Sequence, residues 1–345
     1  MKGGALALLF FGWALAQGLL AGGQGHSLAL LQGRLYAFGW NYDGQLGDGS
    51  FLNRSRPVWV LEGATAVAAG NLHSLVLLEG GRVLAFGAGE KGQLGDGTFA
   101  TKGRPVELPL RVKGAAAGYS HTLLLGLDGR VYAAGSNEEG QLGDGSRRGR
   151  NRFAPVEGLP PVVGVAAGYF HSLAWTAGGE LYAWGSNLSG QLGTGTVESS
   201  PRPQKVLTGV LLAVGGGSFT ALLLRDGSVL IAGLDSATFR KVEGLPKAVS
   251  LAAGRAHLLV LGEDGRVYAL GENDQGQLGD GTQEGRLEPR PVEGLAGVRA
   301  IGAGDAHSLA FLADGRLFAW GDNRFGQLGD GTRENRLTPV RVRLP

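Results

Sequence analysis

The chain has 345 residues, of which 64 are glycine and none is cysteine. The absence of cysteine excludes disulfides, thiolate nucleophiles, Cys-type zinc sites and iron–sulfur clusters. With 32 basic and 30 acidic residues, the formal net charge of +2 gives no global field for nucleic acid or for a strongly cationic partner.

Residues 1–16 read MKGGALALLFFGWALA. Lys2 is a short positive start, residues 5–15 are an apolar run of signal-peptide length, and Ala14-Leu15-Ala16 has the A-x-A cleavage pattern. The expectation is a cleaved export signal at 1–16, a mature chain 17–345 that is secreted or periplasmic, and no membrane span after cleavage.

From residue 17 onward one unit repeats. AVAAGNLHSLVLLEGGRVLAFGAGEKGQLGDGT at 66–98 returns as GVAAGYFHSLAWTAGGELYAWGSNLSGQLGTGT at 164–196 and as AIGAGDAHSLAFLADGRLFAWGDNRFGQLGDGT at 300–332. All six histidines mark the phase: His26, His73, His121, His171, His257 and His307. A seventh unit carries Phe219 at that phase. The period of about 50 residues is that of propeller blades. Each unit reads as four short strands, a to d, which in the second unit fall at 64–69, 74–78, 82–86 and 104–108. The expected fold is all-β: one seven-bladed β-propeller of four-stranded antiparallel blades over 17–345. The first unit reads as lacking its own strand d. The segment 339–343, PVRVR, reads as a surplus strand that pairs into the first blade, so that the C-terminal strand closes the ring.

Strand direction puts the a–b turns and the long c–d loops on one face, and loops on a rigid scaffold carry function. The a–b turns vary most between units. They place Tyr119, Tyr169 and Phe170 on adjacent blades, with Arg255 and Asp305 further round the ring. Trp40, Tyr42 and Phe325 occupy c–d loops of blades one and seven, which become neighbours in a closed ring. Aromatics and arginine are typical anchors of protein interfaces, and local packing between blades is the competing reading of these eight residues.

Other motifs read as structural. One histidine per blade is too sparse for a metal site, so each is expected to bond neighbouring backbone at the start of strand b. The lone Asp of Gly-Asp-Gly-Thr/Ser (Asp48, Asp96, Asp144, Asp280 and Asp330) reads as turn chemistry rather than a calcium loop. The pairs Phe38-Gly39, Phe86-Gly87, Trp184-Gly185 and Trp320-Gly321 read as packing between blades. The run Arg147-Arg148-Gly149-Arg150-Asn151-Arg152 reads as a solvated loop rather than a grip for a polyanion. No metal, no cofactor and no catalytic triad is expected. The fifth unit skips the GQLGDGT loop, and only 38 residues separate Phe219 from His257.

The string H-S/T-L…D-G-R-V/L-Y/F-A-W-G-x-N-x-x-G-Q-L-G-D-G-T resembles the regulator-of-chromosome-condensation repeat, and Gly-Gln-Leu-Gly recurs six times, at 44–47, 92–95, 140–143, 190–193, 276–279 and 326–329. That resemblance covers 17–345 and implies the seven-bladed fold. It also brings three activities to test on residues. Nuclear members act as exchange factors for a Ran-type GTPase and use a wedge-like insertion, which is not seen between these units. A plant ultraviolet-B photoreceptor uses tryptophans in a slot filled here by Gln24, Asn71, Tyr119, Tyr169, Gly217, Arg255 and Asp305. A secreted bacterial propeller inhibits β-lactamases by covering them with one face. The expectation is a non-enzymatic scaffold that binds a protein, not nucleic acid, through its long-loop face. The alternatives are a carbohydrate or cell-wall ligand at Tyr119, Tyr169 and Phe170, inhibition of a secreted enzyme, and exchange-like activity.

Overall fold

The computed structural model describes residues 18–345, so the export signal expected at 1–16 lies outside the described residues. The strands form because each position in the repeat has its own burial demand. Strand b is apolar and buried along its length, as in His73–Leu78, because it lies inside the blade with a neighbouring blade on either side. Strand a is rich in small residues, as in VKGAAA at Val112–Ala117, because it lines the axis where the circumference is least. Strand d alternates between half-buried and exposed, as in KGRPVE at Lys102–Glu107. Six of the seven d strands contain proline, for example Pro57, Pro105, Pro155, Pro203, Pro291 and Pro339. Proline lacks a ladder donor and is confined to edges, and there it blocks edge-to-edge aggregation.

These strands build seven four-stranded antiparallel sheets at 20–62, 64–107, 112–155, 164–207, 210–241, 248–291 and 298–342. The strand a of each blade packs against those of its two neighbours, and the first blade packs against the seventh. The only helical turn among the described residues is the 3₁₀ turn Glu79–Gly81, and no helix is long and apolar enough to cross a membrane. The central channel encloses about 660 Å³ and is walled mostly by alanine, glycine and valine of the a strands.

One expectation about closure is wrong. The first blade has its own strand d, Arg54–Glu62, paired to Arg34–Gly39. The C-terminal strand Arg336–Val342 pairs within the seventh blade, with Phe318↔Arg341 and Ala319↔Val340. Every blade is therefore a contiguous stretch of chain, and no strand is exchanged at the seam. The ring is held instead by bonds repeated from blade to blade, of which the innermost set recurs at every boundary. That set is a circle of seven backbone hydrogen bonds between a–b turns: Gln24 N to Asn71 O, Asn71 to Gly118, Tyr119 to Tyr169, Tyr169 to Gly216, Gly217 to Arg255, Arg255 to Asp305, and Asp305 to Gly23. Asp305 N donates to Gly23 O at 3.0 Å, so the seam is bonded as the other six boundaries are.

The fifth blade replaces its long loop with a two-residue hairpin turn. Gly233 pairs with Ser236, and Leu234 and Asp235 both have positive φ, 50° and 84°. A turn with both central residues left-handed favours Asn-Gly, and leucine there is strained. Leu234→Asn with Asp235→Gly is expected to raise unfolding free energy by about 1 kcal/mol. A thermal melt of the double variant checks this, and an unchanged or lower midpoint would refute it.

Candidate interaction face

The repeat itself explains why one face gathers the variable residues. The first residue of each long c–d loop donates its N–H to an a–b turn carbonyl, as Trp40 does to Gly25 at 2.8 Å and Ser186 to Phe170 at 2.8 Å. Turns and loops are thus tied together on one rim. The far end of each loop reaches the next blade: Gly49 N donates to Gly103 O, Gly97 to Asn151, Gly145 to Pro201, Gly195 to Ala237, Gly281 to Leu337 and Gly331 to Ser55.

Beneath that rim the histidines form a second circle. Their expected bonds to neighbouring backbone are not what the structure shows. Each Nε2 meets a hydroxyl on strand b of the next blade instead: His26 with Ser74, His73 with Thr122, His121 with Ser172, His171 with Thr220, His257 with Ser308 and His307 with Ser27, at 2.8–3.0 Å. Each hydroxyl donates its single proton to a loop carbonyl, for example Ser74 to Gln45 O at 2.7 Å and Thr122 to Gln93 O at 2.6 Å. A hydroxyl whose proton is spent can only accept from the ring, so Nε2 carries the proton. Burial pushes all six imidazoles far down, His26, His121 and His257 to about 3 and His73, His171 and His307 to about 4. They are neutral structural donors. The ring also dictates the glycine three residues before it, since a Cβ on Gly70 would collide with the His73 ring and with Gly118 O.

The other recurrent groups are equally committed. Asp48 accepts from Ser50, Asn41 and Arg54. Although partial burial pushes its carboxyl up, those donors outweigh it and hold the group below its usual range. Trp184 and Trp320 are fully buried between blades and donate Nε1–H to Gln141 O and Gln277 O, at 2.9 and 2.8 Å. The arginine run is dispersed: Arg147 donates to Glu138 O and Arg150 pairs with Asp144 at 3.1 Å.

The eight expected interface residues fall into two groups. Tyr119 and Tyr169 meet edge to face at 5.1 Å, and Phe170 lies 5.3 Å from Tyr119 and 6.1 Å from Tyr169. Arg255 and Asp305 come from the far side of the ring to the same opening. Asp305 and Tyr169 both line the channel mouth and influence each other electrostatically. Burial pushes the half-buried Asp305 carboxyl up, against the pull of Tyr169 and Arg255, and Asp322 adds to the push. Burial likewise raises the Tyr169 hydroxyl, with Asp305 adding to it. That hydroxyl is inaccessible and makes no hydrogen bond of normal geometry. Arg255 is exposed and pairs with Glu272 at 2.8 Å. The second group lies at the seam. Trp40 stacks on Phe325 at 4.5 Å and 20°, and Tyr42, 65% exposed, meets Trp40 edge-on at 6.3 Å.

Two features escaped the sequence reading. Asn71, expected as an ordinary turn residue, is 5% exposed and lines the channel mouth with a buried, unpartnered Oδ1. Three differences meet at the boundary between blades five and six: the fifth blade lacks its long loop and carries Phe219 in place of His, and the sixth carries Leu258 where other blades have Ser or Thr. All three members of the relay between blades five and six are missing together. The missing loop also uncovers Leu287, which stands where Ser55, Gly103, Asn151, Pro201, Ala237 and Leu337 are capped by the preceding blade, and Leu287 is 78% exposed. Comparing positions 219 and 258 across units would have revealed the coupling.

Seven blades, joined at six of their boundaries by a histidine–hydroxyl–carbonyl relay and a Gly-Gln-Leu-Gly loop, define a propeller of the regulator-of-chromosome-condensation type. The family comparison agrees: the RCC1-like domain model matches residues 12–238, and models of the Regulator of chromosome condensation (RCC1) repeat match 248–277, 264–311, 298–327 and 314–345, so the chain belongs to the RCC1-like family. A 53-residue stretch, 15% of the chain, is 47% identical to the human E3 ubiquitin-protein ligase HERC2. Another 91 residues, 26% of the chain, are 36% identical to the regulator of chromosome condensation of Drosophila melanogaster. These matches span only 1% and 16% of those relatives. Among solved structures, human WBSCR16 is similar with a TM-score of 0.81 at 25% identity, covering 90% of this chain and 95% of that one. Yeast RCC1 (Prp20) bound to Kap60 is similar with a TM-score of 0.81 at 20% identity, covering 94% and 85%.

Proposed function

We propose that this chain is a non-enzymatic protein-interaction scaffold, exported by its N-terminal segment, that engages a partner through the rim of a–b turns and c–d loops. The observation that carries this reading is the convergence of Tyr119, Tyr169 and Phe170 with Arg255 and Asp305 around one channel mouth. Large rigid aromatics beside an arginine supply contact area at low entropic cost. The RCC1-like propeller is mainly a binding and regulatory fold, and the similar yeast Prp20 is described bound to Kap60 and binding Gsp1p and histones. Those partners belong to Prp20, and only the mode, a propeller face against a protein, is carried to this chain. Export rests on residues 1–16 alone.

The test is affinity capture from the native cell envelope with residues 17–345 as bait and a Tyr119→Ala, Tyr169→Ala, Arg255→Ala variant as control. The expected result is one protein retained by the native bait and lost by the variant. Equal retention by both baits would place the partner on another surface. Retention of no protein, with binding on a glycan array, would replace the reading by the carbohydrate alternative.

A further inference from the structure

The channel mouth carries polar side-chain oxygens that the chain does not fully satisfy. Asn71 Oδ1 is buried and unpartnered, and the Tyr169 hydroxyl, two blades further round the same rim, makes no hydrogen bond of normal geometry. Asp305 is half-buried, donates its backbone N–H to the seam, and leaves its carboxylate facing the axis with no ion pair within bonding distance. A buried polar atom without a partner costs free energy, so Asn71 Oδ1 and the Tyr169 hydroxyl, with the half-buried Asp305 carboxylate at the same opening, mark a place where something else donates.

The charges around the rim set the sign of that donor. The groups coupled across it are Asp305, Asp322, Glu272 and Asp274 against Arg255 and Arg324. Arg255 is held by Glu272 at 2.8 Å and Arg324 by Asp322 at 2.9 Å. Asp305 and Asp274 remain as net negative charge. The opposite half of the rim is Tyr119, Tyr169 and Phe170, whose ring faces attract cations.

We propose that the partner of the rim inserts a lysine or arginine side chain into the channel mouth, where it donates to Asp305, Asn71 Oδ1 and the Tyr169 hydroxyl between the aromatic rings. This rests on the protein-binding reading of the same face and adds the chemistry that the partner presents. The alkyl stem lies against Tyr119 and Phe170, and the cationic head replaces its water shell with the three oxygens. A neutral or acidic side chain leaves the oxygens unpaired or repelled, which is how the mouth discriminates.

The test is selection of random linear peptides on immobilised 17–345, followed by affinity measurement of the enriched sequences. The expected consensus has one invariant Lys or Arg flanked by apolar residues. Asp305→Asn is expected to weaken the selected peptide by about tenfold or more. Asn71→Asp, which adds a second carboxylate, is expected to tighten it, a gain that misfolding does not produce. Asp314→Asn, at a b–c turn on the opposite face, is the control expected to change nothing. A consensus without a basic residue, or one indifferent to Asp305→Asn and Asn71→Asp, overturns the inference. If that consensus is still lost on Tyr119→Ala with Phe170→Ala, the rim remains the binding face and only the cationic chemistry fails. If it survives those substitutions, or no peptide is selected, the face assignment fails as well.

Discussion

Acidification from about pH 7 to about pH 5 is expected to unfold this propeller well above the range where carboxylates titrate. The six relay histidines are neutral in the fold, with values lowered to about 3 or about 4 by burial from an ordinary 6.5. In the unfolded chain they take up protons as pH falls through 6.5, while the folded chain does not. The unfolded state then binds more protons, so stability is fully present above that pH and is lost as pH falls toward the folded values. Each histidine contributes about 1.4 kcal/mol per pH unit within that window. Six acting together approach a slope on the order of 8 kcal/mol per pH unit, comparable to the whole stability of a typical domain. The Asp48, Asp144, Asp280 and Asp330 carboxyls, held below their usual range, add a loss of the same sign only at lower pH. Urea unfolding followed by circular dichroism across this range measures the slope. A stability that stays flat down to about pH 4 would contradict the assignment of neutral, buried rings. The attribution can be checked one boundary at a time. In His121→Phe with Ser172→Leu, Gln141 O keeps the Trp184 Nε1 donor at 2.9 Å, and the slope is expected to drop by about 1.4 kcal/mol per pH unit.

That relay also shows where the sequence is informative and where it falls short. The blade count, the four strands and the shared face of turns and loops follow from a short, strict period. Each residue type answers a local demand: small at the axis, apolar within the blade, proline at the rim strand. The grouping of Tyr119, Tyr169 and Phe170, and of Trp40 with Phe325, was also readable, because adjacent blades bring equivalent positions together. Two things were not. The seam was misread because a repeat shows phase but not pairing: Pro339-Val340-Arg341-Val342-Arg343 looks the same whether it is the fourth strand of the last blade or a strand lent to the first. The partner of each histidine was misread because it lies roughly one whole period away, as His26 does from Ser74 across 48 residues. Contacts between equivalent positions in successive units are invisible to any reading made within one unit. Asn71 escaped for the same reason, since its burial depends on the ring closing around the axis.

The boundary between blades five and six offers the sharpest test that the relay is a unit. Phe219, 1% exposed, fills the histidine position and shares its core cluster with Leu258, also 1% exposed. Phe219→His would bury an Nε2 donor opposite an apolar side chain, with neither hydroxyl nor loop carbonyl to receive the proton. Losing apolar burial and leaving a donor unpaired is expected to cost about 3–5 kcal/mol. Adding Leu258→Ser gives the ring its acceptor but leaves the hydroxyl proton without the glutamine carbonyl that Ser74 finds in Gln45, so recovery is partial. The third piece is the loop. Gly233↔Ser236 in the fifth blade corresponds to Gly321↔Arg336 in the seventh, so residues 322–335 can replace Leu234 and Asp235 in register. The graft supplies the carbonyl and brings a glycine N–H to Leu287, as Gly331 does to Ser55. The three changes together are expected to return to within about 1 kcal/mol of the native chain, although the sum of the separate costs is several times larger. Urea denaturation of the single, double and triple variants gives the coupling directly. A single-variant cost under about 1 kcal/mol, or no rescue by the grafted loop, would mean that histidine, hydroxyl and carbonyl contribute independently and that the fifth unit lost them one by one. The expected non-additivity would instead explain the pattern physically: once the loop is gone its carbonyl is gone, the hydroxyl has nowhere to donate, the ring has nothing to bond, and an apolar pair becomes the stable occupant of the boundary.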